Sequence, residues 1–199
     1  MEERRIMLGG KKLTVDDVPN GVYIYLSSCE LVETGDFDQS SMLDSVSGVA
    51  VVTDNVKLVI YPEQNWGAAY GQTGTLINGC TTKTENPESD MDGISNTEAL
   101  YNWTGGTTTA AAYCRNIEFA HGKKGYLGSA GEYSEIYTLD SDISSAMRLI
   151  GGAQFQDEET YWTSTQYNGN LAWKMFWSSG YLSTGTKSVD YMVRAFAEL

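Results

Sequence analysis

Closely spaced carboxylates followed by glycine can wrap a hard cation, and Glu88-Ser-Asp90-Met-Asp92-Gly93 is such a cluster. Calcium loops use this chemistry because the ion takes six to eight oxygens. No Glu stands at the closing position of an EF-hand, so the cluster reads as a solvated turn leading into a helix. Asp157-Glu158-Glu159 could in principle do acid–base work, yet an acidic run ahead of a strand reads as a solvated turn. Glu132 and Glu135 share one helix, with Glu132 expected in capping or a structural hydrogen bond. The single histidine, His121, lies in the turn His121-Gly122-Lys123-Lys124. No Gly-x-Ser-x-Gly elbow accompanies it, so it reads as a loop residue and not as a triad base. Cys29, Cys80 and Cys114 are too few and scattered for a disulfide framework or a zinc site and read as reduced, buried thiols. Gly122-Lys-Lys-Gly and Gly128-Ser-Ala-Gly lack the order of a phosphate-cradling loop. The sequon Asn102-Trp-Thr104 carries no information without a signal peptide. The expectation is a non-enzyme: no catalytic residue, no cofactor, no metal.

Of the 199 residues, 13 are Lys or Arg and 26 are Asp or Glu, a net charge of −13. That balance argues against nucleic-acid binding, which needs clustered cations to neutralise phosphates. It also disfavours an anionic membrane surface. No apolar run approaches the ~18 residues of a spanning helix. Met1-Glu-Glu-Arg-Arg-Ile6 carries no apolar leader. The charge is uneven. From Tyr161 to Arg194 a single acid, Asp190, faces Lys174, Lys187 and Arg194, a local +2 that leaves −15 elsewhere. The same stretch holds Tyr161, Trp162, Tyr167, Trp173, Phe176, Trp177, Tyr181 and Tyr191.

The elements that must hold these residues follow from propensity and spacing. Val22–Leu26, Gly48–Val52 and Val56–Ile60 read as strands, the last two joined by a turn at Asp54-Asn55 and the third ended by Pro62. Residues 63–94 read as long loops. Ser95-x-x-Glu98 has capping-box spacing for a short helix, broken by Gly105-Gly106. Thr107–Phe119 reads as a second helix around Ala110, Ala111 and Ala112. Tyr126-Leu127 is extended, and Gly131–Tyr137 is helical. Asp140 or Ser141 caps a helix with Ile143, Ala146, Met147 and Ile150 on one face, stopped by Gly151-Gly152. Short strands follow, ending with Tyr191–Phe196. Helices followed by a β-rich half give an α+β class, with a division expected into 1–62 and 63–199.

Gly122-Lys-Lys-Gly-Tyr-Leu-Gly-Ser-Ala-Gly-Glu132-Tyr resembles the "GW-LPS-x-x-E" segment of bacterial C-type-lectin-like domains, with Tyr126 for the usual Trp and Gly128 for the usual Pro. The DUF1566, Fibrobacter major-domain and formylglycine-generating-enzyme-like groups are among them. Tyr161-Trp-Thr-Ser-Thr-Gln166 resembles their "YWSSTE" strand, and Ala172-Trp173, Gly180, Lys187 and Val193-Arg194 follow at similar spacing. The resemblance implies a C-type lectin-like domain over 63–199, two helices plus short antiparallel strands, preceded by a small N-terminal β unit for attachment or oligomerisation. It extends to variable proteins of diversity-generating retroelements, in which this segment, here 161–194, is rewritten at template Asn codons. Fixed positions would be Tyr161, Trp162, Ser164, Thr165, Ala172, Trp173, Gly180, Lys187, Val193 and Arg194. Ligand-binding positions would be Tyr167, Asn168, Asn170, Leu171, Lys174, Phe176, Ser178, Ser179, Tyr181, Ser183, Thr184, Thr186, Ser188, Val189, Asp190 and Tyr191, with Gly185 also variable. Rewriting the adenines of AAC reaches every residue type in that set except the lysine of Lys174.

The composition of the segment points the same way without the resemblance. Tyr offers a large amphipathic contact with little side-chain entropy to lose, while Ser, Gly and Asn offer adaptable hydrogen bonds. Trp162 and Trp173 are expected to be buried supports, and Trp177 is expected in the core. The expected function is non-enzymatic binding of a cell-surface protein or glycan receptor, without nucleic acid or membrane insertion. The lack of a leader suits a phage tail or virion protein, with a homo-oligomer or docking through residues 1–62. The alternatives are a bacterial surface adhesin or pilus-tip module and, from the enzyme class, a formylglycine-generating-enzyme-like oxidoreductase. Calcium-dependent sugar binding is not expected: Glu85-Asn86-Pro87 has the lectin letters out of order, and no Trp-Asn-Asp strand is present.

Overall fold

The computed structural model describes residues 5–104 and 109–199, without the side chains of Arg5, Lys12, Thr104 and His121. The breaker Gly105-Gly106, the helix start at Thr107 and the His121 side chain therefore lie outside the described residues. The N-terminal strands are β1 (Arg5–Leu8), β2 (Lys11–Thr14), β3 (Gly21–Leu26) and β4 (Glu30–Glu33), followed by the single turn α1 (Gln39–Met42). Then come β5 (Val46–Val52), β6 (Lys57–Ala69), α2 (Gly93–Thr104), α3 (Ala110–Asn116) and β7 (Tyr126–Leu127). The rest comprises α4 (Ala130–Tyr137), α5 (Asp140–Leu149), β8 (Thr160–Gln166), β9 (Leu171–Phe176), β10 (Tyr181–Thr186) and β11 (Asp190–Glu198).

All the strands join one mixed sheet in the order β10-β9-β8-β11-β6-β5-β3-β4-β1-β2, with β7 pairing β11 off that path. The class is α+β, as expected. Period-two alternation sorts side chains to two cores. On β11, Val193, Ala195 and Ala197 pack with Leu100, Ala110, Ala111 and Cys114 on the α2–α3 side. Met192 and Phe196 pack with Ile136, Ile143, Ala146 and Met147 on the α4–α5 side. A strand buried on both faces has no reason to alternate in polarity, which is why Gly48–Val52 is continuously apolar: Ala50 and Val52 serve one core, Val49 and Val51 the other. No helix among the described residues is long and apolar enough to cross a membrane.

Several sequence expectations need correction. Pro62 does not end its strand, because β6 runs on to Ala69. Its β5 pairing stops at Ile60, and its β11 register slips between Phe196 and Arg194, so the proline sits where no ladder N–H is required. The division expected at 62/63 thus falls inside a strand that pairs with the C-terminal β11. Ser95 and Glu98 do not form a capping box. Helix α2 starts two residues earlier, the Asp92 carboxylate accepts the Ser95 N–H at 3.1 Å, and Glu98 pairs with Arg115 at 2.7 Å. Helix α3 is capped by the Thr109 hydroxyl, which accepts from Ala112 N–H, and ends at Asn116. The amphipathic helix over 140–150 is present, but Leu139 stands at its N-cap without a side-chain bond.

Candidate functional site

Strands β8, β9 and β10 form an antiparallel ribbon at one edge of the sheet, joined to β11 by a parallel contact with Met192 opposite Tyr161. Register decides which expected ligand residues can act together. Tyr181 lies opposite Phe176, Ser183 opposite Lys174 and Gly185 opposite Ala172. These share a face, onto which Trp162 and Tyr191 also project, their rings 4.8 Å apart and edge-on. Tyr181 is 64% exposed and Phe176 39%. The result is a contiguous strip of Tyr181, Phe176, Lys174, Ser183 and Tyr191.

At its centre Lys174 corrects the expectation of a surface cation, since only 6% of it is exposed. Its ammonium lies 3.9 Å from the Phe176 ring centre and 4.6 Å from that of Tyr191. Ring faces are electron-rich, so two of them offset part of the cost of removing the charge from water. Burial still lowers the Lys174 pKa from its ordinary value. A Cβ on Gly185 beneath it would stand 2.8 Å from Lys174 Cδ and 2.9 Å from Tyr191 Cε2, so both side chains would have to shift to admit one.

The remaining expected contacts lie elsewhere. Leu171, Trp173, Thr184 and Thr186 have the opposite parity and face the other way. There Tyr167 meets Trp173 edge-on at 5.6 Å, and Trp173 Nε1 donates to the Lys83 carbonyl at 2.8 Å. Trp173 is half-buried under that loop and not a core residue as expected. Ser178 and Ser179 are exposed in the β9–β10 turn. Asn168, Asn170, Ser188 and Val189 gather at the opposite end, where Lys187 N–H donates to the Asn170 carbonyl at 2.9 Å. A six-residue strand separates the two ends, roughly 17 Å at ~3.3 Å per residue. Asp190 is exposed at the start of β11.

The residues expected to be fixed form a polar frame behind the strip. Arg194 is fully buried, with Nη1 donating to the Tyr61 carbonyl at 3.0 Å and Nη2 donating to Gln64 Oε1 at 2.7 Å and the Ala153 carbonyl at 2.9 Å. Charge-assisted bonds to neutral oxygens replace an ion pair here. Lys187 is likewise buried, its ammonium donating to Gln166 Oε1 at 2.8 Å and the Thr75 carbonyl at 3.2 Å. Trp162 is buried and donates from Nε1 to the Ala68 carbonyl at 3.0 Å. Gly180 holds a left-handed φ of 64° in the β9–β10 turn. Trp177 is core, stacked on Phe155 at 3.8 Å.

The other chemistry-bearing residues are structural. Asp90 is buried, its Oδ2 accepting from Thr165 Oγ1 at 2.6 Å and Asn96 Nδ2 at 2.8 Å, so the acidic cluster is a network node and an α2 cap, not a solvated turn alone. No group of three or more His, Cys, Asp or Glu among the described residues could hold a metal ion. Glu132 completes a capping box with Ser129 and accepts from Tyr126 OH at 2.9 Å. Burial pushes its pKa up to about 7. Burial also pushes the Cys80 thiol up to about 11 and Cys114 well above its usual value, so neither supplies a thiolate at neutral pH. Trp66, 67% exposed on β6, escaped the sequence reading because that strand was expected to stop at Pro62.

No protein-family model matches the chain, and no curated protein matches it. Among solved structures, a fimbrial protein from Bacteroides ovatus is similar, with a TM-score of 0.65 and 16% sequence identity over 92% of this chain and 49% of that one. The chain therefore spans about half the length of the protein it matches, and the two share a fold.

Proposed function

We propose that this chain is the ligand-binding module of a cell-surface adhesin of fimbrial or pilus type, and that it catalyses no reaction. The observation that carries this reading is the strip Tyr181–Phe176–Lys174–Tyr191, aromatic and partly exposed, on a sheet edge held by buried Trp162 under Tyr191 and by buried Arg194 and Lys187. A rigid aromatic surface loses little entropy on binding, and aromatic side chains dominate interface energetics. The ligand is a cell-surface protein or glycan. The shared fold with a fimbrial protein supports the adhesin reading over a phage-tail one. Strands β1 and β2 end the sheet at the edge opposite β10, which suits them to attachment or oligomerisation while β10 meets the ligand. The raised thiol pKa values favour binding over an oxidoreductase.

The C-type lectin-like identity of 63–199 and its diversification over 161–194 belong to the same proposal. Their support is the burial pattern. Tyr161, Trp162, Ser164, Thr165, Ala172, Lys187, Val193 and Arg194 are buried, while Asn170, Phe176, Ser178, Ser179, Tyr181, Thr186, Ser188, Val189 and Asp190 are exposed. Lys174 and Gly185 depart from that pattern by being buried, while the fixed Trp173 and Gly180 and the variable Tyr167, Asn168, Leu171, Ser183, Thr184 and Tyr191 are half-buried. Neighbouring DNA encoding a reverse transcriptase and a near-identical Asn-rich repeat is the expected finding, and their absence would remove diversification from the reading.

The binding test is alanine substitution at Phe176 and Tyr181, read by adhesion to whole cells alongside the melting temperature. Each substitution is expected to cost more than ~1 kcal/mol of binding, with the melting temperature unchanged in Tyr181→Ala and lowered in Phe176→Ala, which takes a ring from the buried Lys174. Undiminished adhesion by both variants would sink the strip as a contact face.

A further inference from the structure

A second groove, of about 490 Å³, opens between the end of β6 and the segment leaving α5, lined by Glu63, Gln64, Trp66, Gly151 and Gly152 among others. It lies on the α4–α5 side of the sheet, away from the Lys174 strip. Trp66 forms its wall. The β6–β11 register slips between Asn65 and Ala68, which frees Trp66 and Gly67 from the ladder, and the Asn65 side chain accepts Gly67 N–H at 3.0 Å to fix the turn. Indoles are highly buried on average, and this one is 67% exposed beside a cleft.

Gln64 supplies the second observation. It is 8% exposed. Its Oε1 accepts from Tyr161 OH at 3.0 Å and from Arg194 Nη2 at 2.7 Å, which fixes the orientation of the amide. Its Nε2 is buried with no hydrogen-bond acceptor. An unmet buried donor carries a free-energy cost that an arriving acceptor relieves.

We propose that this groove is a binding site for a neutral saccharide. A pyranose ring offers a flat C–H face to an indole and a hydroxyl oxygen for the Gln64 amide. Gly151 and Gly152 have no side chains to fill the space. The net charge of −13 repels uronic and sialic acids, so the ligand class is neutral. This site does not depend on the adhesion strip.

The test exposes the full chain to matched panels of neutral and acidic oligosaccharides, then titrates the neutral ones while following tryptophan fluorescence. Neutral binding with a fluorescence change is expected. Trp66→Ala is expected to weaken it at least ~10-fold at an unchanged melting temperature, whereas Tyr181→Ala leaves it intact. Binding of acidic glycans only, binding of none, or full neutral binding by Trp66→Ala would each overturn the proposal. A Trp66→Ala loss accompanied by a lowered melting temperature is resolved by Trp66→Phe, which keeps a flat ring. Retained neutral binding supports the site, and loss in that folded variant too counts against ring stacking.

Discussion

A Cβ on Gly185 would stand 2.8 Å from Cδ of Lys174, two positions set diagonally across neighbouring strands. The missing side chain is what lets the lysine stem lie flat and carry its ammonium to Phe176 and Tyr191. Gly185→Ala is therefore expected to displace both Lys174 and Tyr191 and to destabilise the chain by about 1–3 kcal/mol. Urea denaturation measures this, and wild-type stability in the variant would show that the lysine repacks without cost.

Tyr181 and Tyr191 lie on the same strip but differ in support. Tyr181 is mostly exposed, while Tyr191 packs edge-on against buried Trp162 at 4.8 Å. Tyr191→Ala is expected to lower stability by about 1–2 kcal/mol, and Tyr181→Ala by less than ~0.5 kcal/mol. Thermal melts of the two variants side by side test the contrast.

The Glu132 carboxylate accepts Ser129 N–H at 2.7 Å and Tyr126 OH at 2.9 Å, yet burial outweighs these donors and raises its pKa from 4.5 to about 7. The unfolded chain releases this proton near 4.5, and the folded chain holds it to about 7. The stabilisation is thus full below the unfolded value and is lost as pH rises through the folded one. Stability should fall by up to about 3 kcal/mol across that window. Glu132→Gln keeps an acceptor for Ser129 and should flatten the slope; urea midpoints measured from pH 4 to pH 8 check it.

Arg194 joins two separate segments through one planar group: β6, at Tyr61 and Gln64, and the stretch after α5, at Ala153. Lysine has the charge but not the fork. Arg194→Lys is expected to cost more than about 3 kcal/mol, since it leaves buried oxygens unmet around a displaced cation. Chemical denaturation gives the value, and a loss under ~1 kcal/mol would contradict the role.

Much of this was legible in the sequence, for identifiable reasons. Strands rich in β-branched residues announced themselves, as did the 140–150 helix, because its apolar stripe is local. Glu132, expected in capping or a structural hydrogen bond, closes a capping box with Ser129. Three things were not legible. The path of β6 past Pro62 depends on β11, more than 120 residues away in the chain. The parity that sends Tyr181 and Thr184 to opposite faces depends on where the ribbon pairs. Nor did the local +2 of 161–194 tell which charges reach solvent: Lys174, Lys187 and Arg194 are all buried, and the one exposed charge of that stretch is Asp190.

The parallel contact between β8 and β11 has a mechanical consequence. The ribbon β8–β10 meets the rest of the sheet at one registered pair, Met192 with Tyr161, whereas β6 and β11 are registered from Leu58 to Ala69. In the adhesin proposed above, tension entering through β10 would cross that narrow seam before reaching the long ladder. The seam is riveted by side chains, Trp162 Nε1 on the Ala68 carbonyl at 3.0 Å and Tyr161 OH on Gln64 at 3.0 Å. Under load the sheet is expected to part there first, which makes those two aromatic residues the tensile limit of the grip.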